Sequence, residues 1–303
     1  MFAGALFVAL GSTAWAGCPT FLLLWGGAGT PSSAPGMFAY PTGICTDGAG
    51  TVYVSDNGNL RIEKFDAQGH LLGFLSGDDS YSLAWDEGQH ILYVPNPNHG
   101  GVEVMTATGG YPANGGWITT PAGGAGPIIY VTLDARGTLF CSAADRIHVF
   151  DRDHNLVRTW LLPSPTLDPR GIAAGPDGRL YVGMATGSQV IAFDSTGTRV
   201  GSFPLPAGAA PRGMAFDASG ALWVTIPNKD LVIQYSRNGT QLCSIGGGSR
   251  AVPGYVSQPY GVAVAPDGSV YTCDHGFHRV EHFIDAATVA HRSTWGSVKR
   301  RMR

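Results

Sequence analysis

One motif returns six times along this 303-residue chain. It reads Gly-Ile-Cys-Thr-Asp-Gly-Ala-Gly-Thr-Val-Tyr-Val from Gly43, and a clear later copy reads Gly-Ile-Ala-Ala-Gly-Pro-Asp-Gly-Arg-Leu-Tyr-Val from Gly171. Each copy predicts a short apolar strand, a tight turn, and a second strand of β-branched and aromatic residues. The copies begin at Gly43, Ser82, Tyr130, Gly171, Gly213 and Gly261. A period of roughly 40 to 50 residues with four strands per repeat predicts an all-β, six-bladed β-propeller.

The first and sixth copies continue into a second motif. The first carries Asp56, Asn59, Arg61, Ile62 and Phe65, and the sixth carries Asp274, His278, Arg279, Val280 and Phe283. With Pro41 and Pro259 ahead of the two copies, this pattern resembles the NHL-repeat family of six-bladed, TolB-like β-propellers over about residues 20–296. The resemblance implies four-stranded NHL-like blades in which the Asp and Arg brace a loop. It implies no particular activity, because propellers host unrelated functions.

The chain divides into three parts. Residues 1–16 are apolar and end in Ala14-Trp15-Ala16, which predicts a secretory signal peptide cut before Gly17, too short to span a bilayer. An extra strand on the ring and a lipoprotein anchored through Cys18 are the alternatives. Residues 17–296 form the single propeller, and the basic residues 297–303 are interpreted as a frayed tail. The predicted location is therefore secreted or periplasmic, with no transmembrane segment.

Both ends of the predicted ring contain an apolar segment of outer-strand type. Phe21–Trp25 is predicted to complete the sixth blade, because a blade shared between the two termini leaves no free edge. The placement of the similar segment Val289–Trp295 stays open. Cysteines 45, 141, 243 and 273 fall in predicted strands and are expected to be small buried apolar residues, although pairing cannot be deduced from the sequence.

Several function classes lack support in the sequence. A net charge of −3 gives no footprint for nucleic acid. No Gly-x-Ser-x-Gly nucleophile motif, phosphate loop or dinucleotide fingerprint is present. The recurring Asp residues at the turns are interpreted as turn caps and not as calcium ligands, since no EF-hand-type loop occurs.

The predicted ligand site lies at the mouth of the central channel. The loops that join successive blades are long and varied, as loops with binding sites usually are. In related propellers the residue before each repeat faces the mouth of the central channel, and the resemblance implies the same here. These residues are Thr42, Tyr81, Ile129, Arg170, Arg212 and Tyr260. Two Arg and two Tyr, with Thr42, predict a rim suited to a carboxylate or phosphate. Alternatively, the Arg side chains lie over the surface, with Asp168 as an internal partner of Arg170.

Metal binding is a weaker hypothesis. Asp274, His275 and His278 are of the residue types that bind zinc. His278 nevertheless occupies an ordinary loop position of the repeat. No cofactor is therefore predicted, and zinc or calcium is the alternative.

The sequence favours a binding or interaction module. A secreted or periplasmic propeller would bind a protein, or a small anionic or saccharide ligand, through its loop-rich face and channel mouth. One alternative is an enzyme resembling the peptidyl-hydroxyglycine lyases, which place zinc-binding His at the mouth, where this chain has none. Another is a lactonase of the gluconolactonase type, which needs Glu, Asn and Asp around a cation. Whether the protein is an enzyme stays open.

Overall fold

A computed structural model describes residues 18–284 except 28, 78–79, 114–115, 120–126, 164–167 and 248–251. The predicted signal peptide, the segment Val289–Trp295 and the basic tail lie outside the described residues. Within the described part, the 24 strands form six antiparallel four-stranded sheets. Helical structure there is confined to single 3-10 turns at Asn57–Asn59 and Pro227–Lys229. The prediction of an all-β, six-bladed propeller is confirmed.

The strands follow the repeat in chain order. Strand β1 (Thr20–Gly26) precedes the first blade, which consists of β2 (Pro41–Thr46), β3 (Val52–Asp56), β4 (Arg61–Phe65) and β5 (Leu71–Ser76). The second blade consists of β6 (Ala84–Asp86), β7 (Ile91–Asn96), β8 (Gly101–Thr106) and β9 (Trp117–Thr119). The third consists of β10 (Tyr130–Leu133), β11 (Leu139–Ser142), β12 (Arg146–Phe150) and β13 (Leu156–Leu161). The fourth consists of β14 (Pro169–Ala174), β15 (Leu180–Met184), β16 (Gln189–Phe193) and β17 (Arg199–Pro204). The fifth consists of β18 (Met214–Phe216), β19 (Leu222–Ile226), β20 (Leu231–Tyr235) and β21 (Gln241–Gly246). The sixth contains β22 (Pro259–Val264), β23 (Val270–Asp274) and β24 (Arg279–Ile284).

The N-terminal strand β1 closes the ring. It pairs antiparallel with β24 as the outer strand of the sixth blade, with Trp25 opposite Val280. The Trp25 ring is buried, 5.6 Å from the ring of Phe65 in the first blade and 6.0 Å from that of Tyr271 in the sixth. The prediction that Phe21–Trp25 completes the sixth blade is confirmed, and its anchor is an aromatic cluster shared by the two blades that meet at the seam.

A disulfide strengthens this closure. Cys18, just before β1, is bonded to Cys243 on β21 of the fifth blade, with the Cα atoms 5.3 Å apart. The expectation of a free buried thiol is wrong for Cys243, because the fold brings the N-terminus beside it. Cysteines 45, 141 and 273 are free and buried, as expected. In this structure the Cys18 sulfur is therefore not available for a lipid.

The hydrophobic core lies between neighbouring blades. One cluster joins Ile44, Val54 and Phe65 of the first blade to Tyr271 and Val280 of the sixth, and comparable clusters fill other blade junctions. Since each blade is buried by its neighbours, the blades stabilise one another around the ring. Within the described residues no helix is long and apolar enough to cross a membrane.

The glycine of the repeat lets the inner strands approach one another closely. A Cβ on Gly213 would lie 2.5 Å from the Tyr260 carbonyl oxygen, and one on Gly261 would lie 2.4 Å from that of Thr42. At Gly171, which has a φ of +71°, the Cβ would lie 1.8 Å from the Arg212 carbonyl oxygen. The inner strands therefore converge on a channel cavity of only about 40 Å³ beneath the mouth.

Candidate ligand site at the channel mouth

The structure brings three of the predicted mouth residues together across the channel. The guanidinium carbon of Arg212, from the fifth blade, lies 4.2 Å from the ring centre of Tyr260 in the sixth and 5.7 Å from that of Tyr81 in the second. Tyr130 of the third blade also lies close enough for the Arg212 charge to act on its hydroxyl. Burial raises the pKa of Tyr130, and Arg212 acts in the opposite direction. Tyrosines from three other blades thus lie around the Arg212 cation.

The two arginines at the mouth have different partners. Arg170 donates from Nε to an Asp168 carboxylate oxygen at 2.8 Å, so its charge is balanced two residues away. The position two residues before Arg212 is Ala210. Within the described part of the chain, Arg212 has no carboxylate partner. Consequently, the mouth carries one balanced and one unbalanced cation.

The remaining predicted mouth residues belong to the wall of the channel. Thr42 is fully buried, and its hydroxyl donates to the Ser80 carbonyl at 2.6 Å. Ile129 packs against the core cluster that joins the third and fourth blades. Neither presents a group for a ligand in this conformation. Of the predicted rim, Tyr81, Arg212 and Tyr260 therefore lie together, and Arg170 is paired with Asp168.

An aromatic stack extends from this rim, and the sequence reasoning missed it. The His275 ring lies 4.1 Å from that of Tyr260 and within 12° of parallel. Beyond it, the Tyr40 ring lies 5.3 Å from His275 and stands perpendicular to His278 at 4.6 Å. Tyr40 is 47% exposed although it is a large aromatic residue. Its proximity could not be read from the repeat, because it depends on two loops that approach each other at the seam.

The two histidines do not fit a metal site. His275 Nδ1 lies 3.3 Å from the Pro41 carbonyl oxygen, and His278 Nδ1 accepts the Tyr40 backbone N–H at 3.1 Å. Burial lowers the pKa of His275 to about 4, and the positive charge of Arg212 acts in the same direction. Among the described residues, no group of three or more His, Cys, Asp or Glu is placed to hold a metal ion.

The NHL-type Asp–Arg pairs hold the loops that carry the stack. Arg61 donates to the Asp56 carboxylate and to the carbonyls of Ser33, Ala34 and Met37. Asp56 in turn accepts the N–H of Ala39, the residue before Tyr40, at 2.7 Å.

The sixth blade repeats this arrangement. Arg279 donates to Asp274 and to the carbonyls of Val252 and Tyr255, and Asp274 accepts the Ser257 N–H at 3.1 Å. The loop held in this way leads into Tyr260. The interpretation of the pair as a loop brace is confirmed.

Asp residues at the tight turns act as caps. Asp134, for example, accepts the N–H groups of Arg136 and Thr138 at 2.9 Å. The same pattern occurs at Asp66, Asp151, Asp194 and Asp217. These carboxylates satisfy their own turn backbones, as the sequence reasoning expected.

Comparison with known proteins supports the fold. Residues 38–65 match the sequence model of the NHL repeat. No curated protein matches the sequence. The chain is therefore a six-bladed β-propeller that contains an NHL repeat in its first blade.

Solved structures of similar shape include enzymes. A streptogramin B lyase is 17% identical, with a TM-score of 0.65, covering 90% of this chain and 100% of its own. A catalytically inactive virginiamycin B lyase from Staphylococcus aureus, with a histidine changed to alanine and solved with quinupristin, is 15% identical, with a TM-score of 0.60 and coverages of 84% and 83%. A luciferin-regenerating enzyme is 16% identical, with a TM-score of 0.64 and coverages of 87% and 95%. At these identities the likeness establishes the fold alone.

Proposed function

We propose that this propeller is a binding module whose channel mouth takes a carboxylate or another small anion through Arg212. The observation that carries the proposal is the partly buried Arg212 guanidinium, which has tyrosines around it and no carboxylate partner among the described residues. A guanidinium in such surroundings binds carboxylates with directed, charge-assisted hydrogen bonds. The ligand is a free small molecule or an acidic group of a protein or saccharide partner.

The same proposal places the protein in an oxidising compartment. A disulfide joins Cys18 to Cys243, and such bonds persist mainly in secreted and periplasmic proteins. This supports the secreted or periplasmic location proposed from residues 1–16. Peptide mapping of the mature protein from its native host tests it, since the expected N-terminus is Gly17.

A matched set of variants tests the binding proposal. Calorimetric titration with acetate, benzoate and inorganic phosphate at low salt compares the parent with Arg212→Ala and Arg170→Ala. We expect Arg212→Ala to weaken anion binding at least tenfold, because a hydrogen bond to a charged group contributes roughly 1.5–3 kcal/mol. Arg170→Ala should retain most of the affinity because Asp168 already balances Arg170.

A further variant checks the charge argument directly. Ala210→Asp introduces a carboxylate two residues before Arg212, the same sequence spacing as that of Asp168 and Arg170. It should weaken anion binding without removing Arg212. If Arg212→Ala binds every anion as the parent does, the channel mouth is not the site.

A second candidate function is lyase activity with His275 as the base. If Nδ1 of His275 donates to the Pro41 carbonyl, Nε2 carries the lone pair, and within the described residues Nε2 has no hydrogen-bond partner. A bound anion beside Arg212 would raise the pKa of His275 from about 4 toward a useful range. Incubation with quinupristin, followed by mass spectrometry of the parent and His275→Ala, tests this. Absence of any conversion by the parent removes the lyase candidate and leaves the binding proposal intact.

A further inference from the structure

We propose that the ligand of the channel mouth is an aromatic carboxylate, held by Arg212 at its acid group and by the stack of Tyr260, His275 and Tyr40 at its ring. This inference rests on the proposed function, since it takes Arg212 as the anion-binding group. It adds the chemical class of the rest of the ligand. Two features of the geometry support it.

The first feature is the orientation in which Arg212 is presented. Tyr260 lies 4.2 Å from the guanidinium carbon, and Tyr81 lies 5.7 Å from it. Rings at these distances cover a guanidinium by cation–π contact and favour approach at its N–H edge. An edge with two parallel N–H donors matches a planar carboxylate better than a spherical anion. The ligand therefore enters in the plane of the guanidinium, beside the rings.

The second feature is Tyr40, whose ring lies next to that of His275. Tyr260 and His275 are stacked within 12° of parallel, and Tyr40 lies next to His275 with nearly half its surface exposed. A planar ring on the ligand can lie against Tyr40 and the edge of His275 while its carboxylate meets Arg212. An aliphatic body would gain the apolar contact but not the additional ring–ring interaction.

The backbone of Tyr40 indicates that an aromatic residue is unusual at this position. Tyr40 has a φ of 54°, and the equivalent residues before the inner strands of the fourth and sixth blades are Asp168 at 48° and Gln258 at 49°. The left-handed region suits Asp or Asn and is unfavourable for a bulky side chain. Strain of this kind concentrates at functional sites, where the side chain has a role that its backbone does not favour.

Titration with paired ligands tests the inference. Benzoate and cyclohexanecarboxylate have the same charge and similar size, but only benzoate is aromatic. We expect the parent to bind benzoate about two- to tenfold more tightly, the range given by a single aromatic pair. Tyr40→Leu should remove this preference while both acids still bind through Arg212, and Tyr40→Phe should keep it.

Control variants separate a site residue from a structural one. Tyr111 is also an exposed tyrosine, at 58%, but lies on the second blade away from the stack, so Tyr111→Leu should leave the preference unchanged. Tyr40→Asn relieves the backbone strain, and it should lose the preference while its melting temperature stays within a few degrees of the parent.

The outcomes distinguish the two proposals. If neither acid binds the parent, or both bind Arg212→Ala equally well, the proposed function fails. If both acids bind through Arg212 with equal affinity, or Tyr40→Leu keeps the preference for benzoate, the proposed function stands and the aromatic inference is wrong.

Discussion

Ring closure through the Cys18–Cys243 disulfide leads to a quantitative prediction. The bond links residues 225 apart in sequence, so it restrains nearly the whole unfolded chain. In the chain-entropy model, a loop of this length corresponds to about 5 kcal/mol at 25 °C, at the upper end of what disulfides contribute. The double variant Cys18→Ser with Cys243→Ser should therefore be less stable by 2–5 kcal/mol, or roughly 10 °C in melting temperature at the upper limit.

The physical reason is specific to the closing strand. β1 is the outer strand of the sixth blade but precedes the first blade in sequence, so its detachment opens the ring at the seam. Trp25 then leaves the cluster with Phe65 and Tyr271. With the disulfide intact, a detached β1 stays tethered to β21 and its return is favoured. Without the bond, only the pairing with β24 and the packing of Trp25 hold β1 in place, and a detached β1 is free to move away.

Calorimetry of the parent and the double variant, each with and without a reductant, checks the prediction. Reductant should lower the melting temperature of the parent to that of the variant and leave the variant unchanged. Thiol titration in denaturant without reductant should find the three free cysteines 45, 141 and 273. Five reactive thiols in the parent, or equal midpoints for parent and variant, would refute the closure argument.

Two further predictions concern the seam and the inner strands. Burial raises the pKa of Glu281 to about 8. The positive charge of its partner Arg279 lowers this pKa, and the negative charge of the nearby Asp274 raises it further. The native state then holds a proton that the unfolded state releases above a pH of about 4.5, so stability falls as pH rises from there to about 8. Glu281→Gln should abolish this part of the decline, and its free energy of unfolding at pH 8 should exceed that of the parent by a few kcal/mol. Urea unfolding across pH 5–8 measures this, and parallel plots of unfolding free energy against pH for the two proteins would contradict it. Gly171→Ala should destabilise the protein by more than about 3 kcal/mol, because the added Cβ would lie 1.8 Å from a backbone oxygen. Gly178 also has a positive φ, but its Cβ would have nothing within 4 Å, so Gly178→Ala should destabilise by only about 1–2 kcal/mol. Equal losses in urea titrations would show that backbone strain alone sets the cost.

Most of the fold could be predicted because the repeat encodes it locally. Each copy places β-branched residues, turn residues and a glycine in the same order, so blade number and strand order follow from its phase. The apolar Phe21–Trp25 could be assigned to the sixth blade because it matches an outer strand and because a blade shared between the two termini leaves no free edge. The Cys18–Cys243 pair could not be predicted, since the 5.3 Å between their Cα atoms exists only after the ring has closed.

The candidate site was only partly predictable. The position before each repeat predicted Tyr81, Arg212 and Tyr260 as neighbours, and the structure brings these three side chains together. The same rule placed Thr42 at the mouth, but it could not show that the Thr42 hydroxyl already donates a hydrogen bond to a buried backbone carbonyl. Asp168 near Arg170 was a visible signal that one of the two cations is balanced. Tyr40 occupies a repeat position that Asp168 and Gln258 fill in the fourth and sixth blades, so the repeat itself gave no reason to expect an aromatic ring there.

The two blades that carry the Asp–Arg pair are also the two blades that carry the aromatic stack. The Asp–Arg pair is kept only in the first and sixth blades, which meet at the seam, and each pair holds the loop that leads to one ring of the stack. Asp56 holds the residue before Tyr40, and Arg279 with Asp274 holds the loop before Tyr260. Loops fixed in this way present their rings at little entropic cost when a ligand binds. Removing one of these Asp–Arg pairs should therefore weaken ligand binding, although neither residue of the pair contacts the ligand. The two pairs thus support the site as well as the fold.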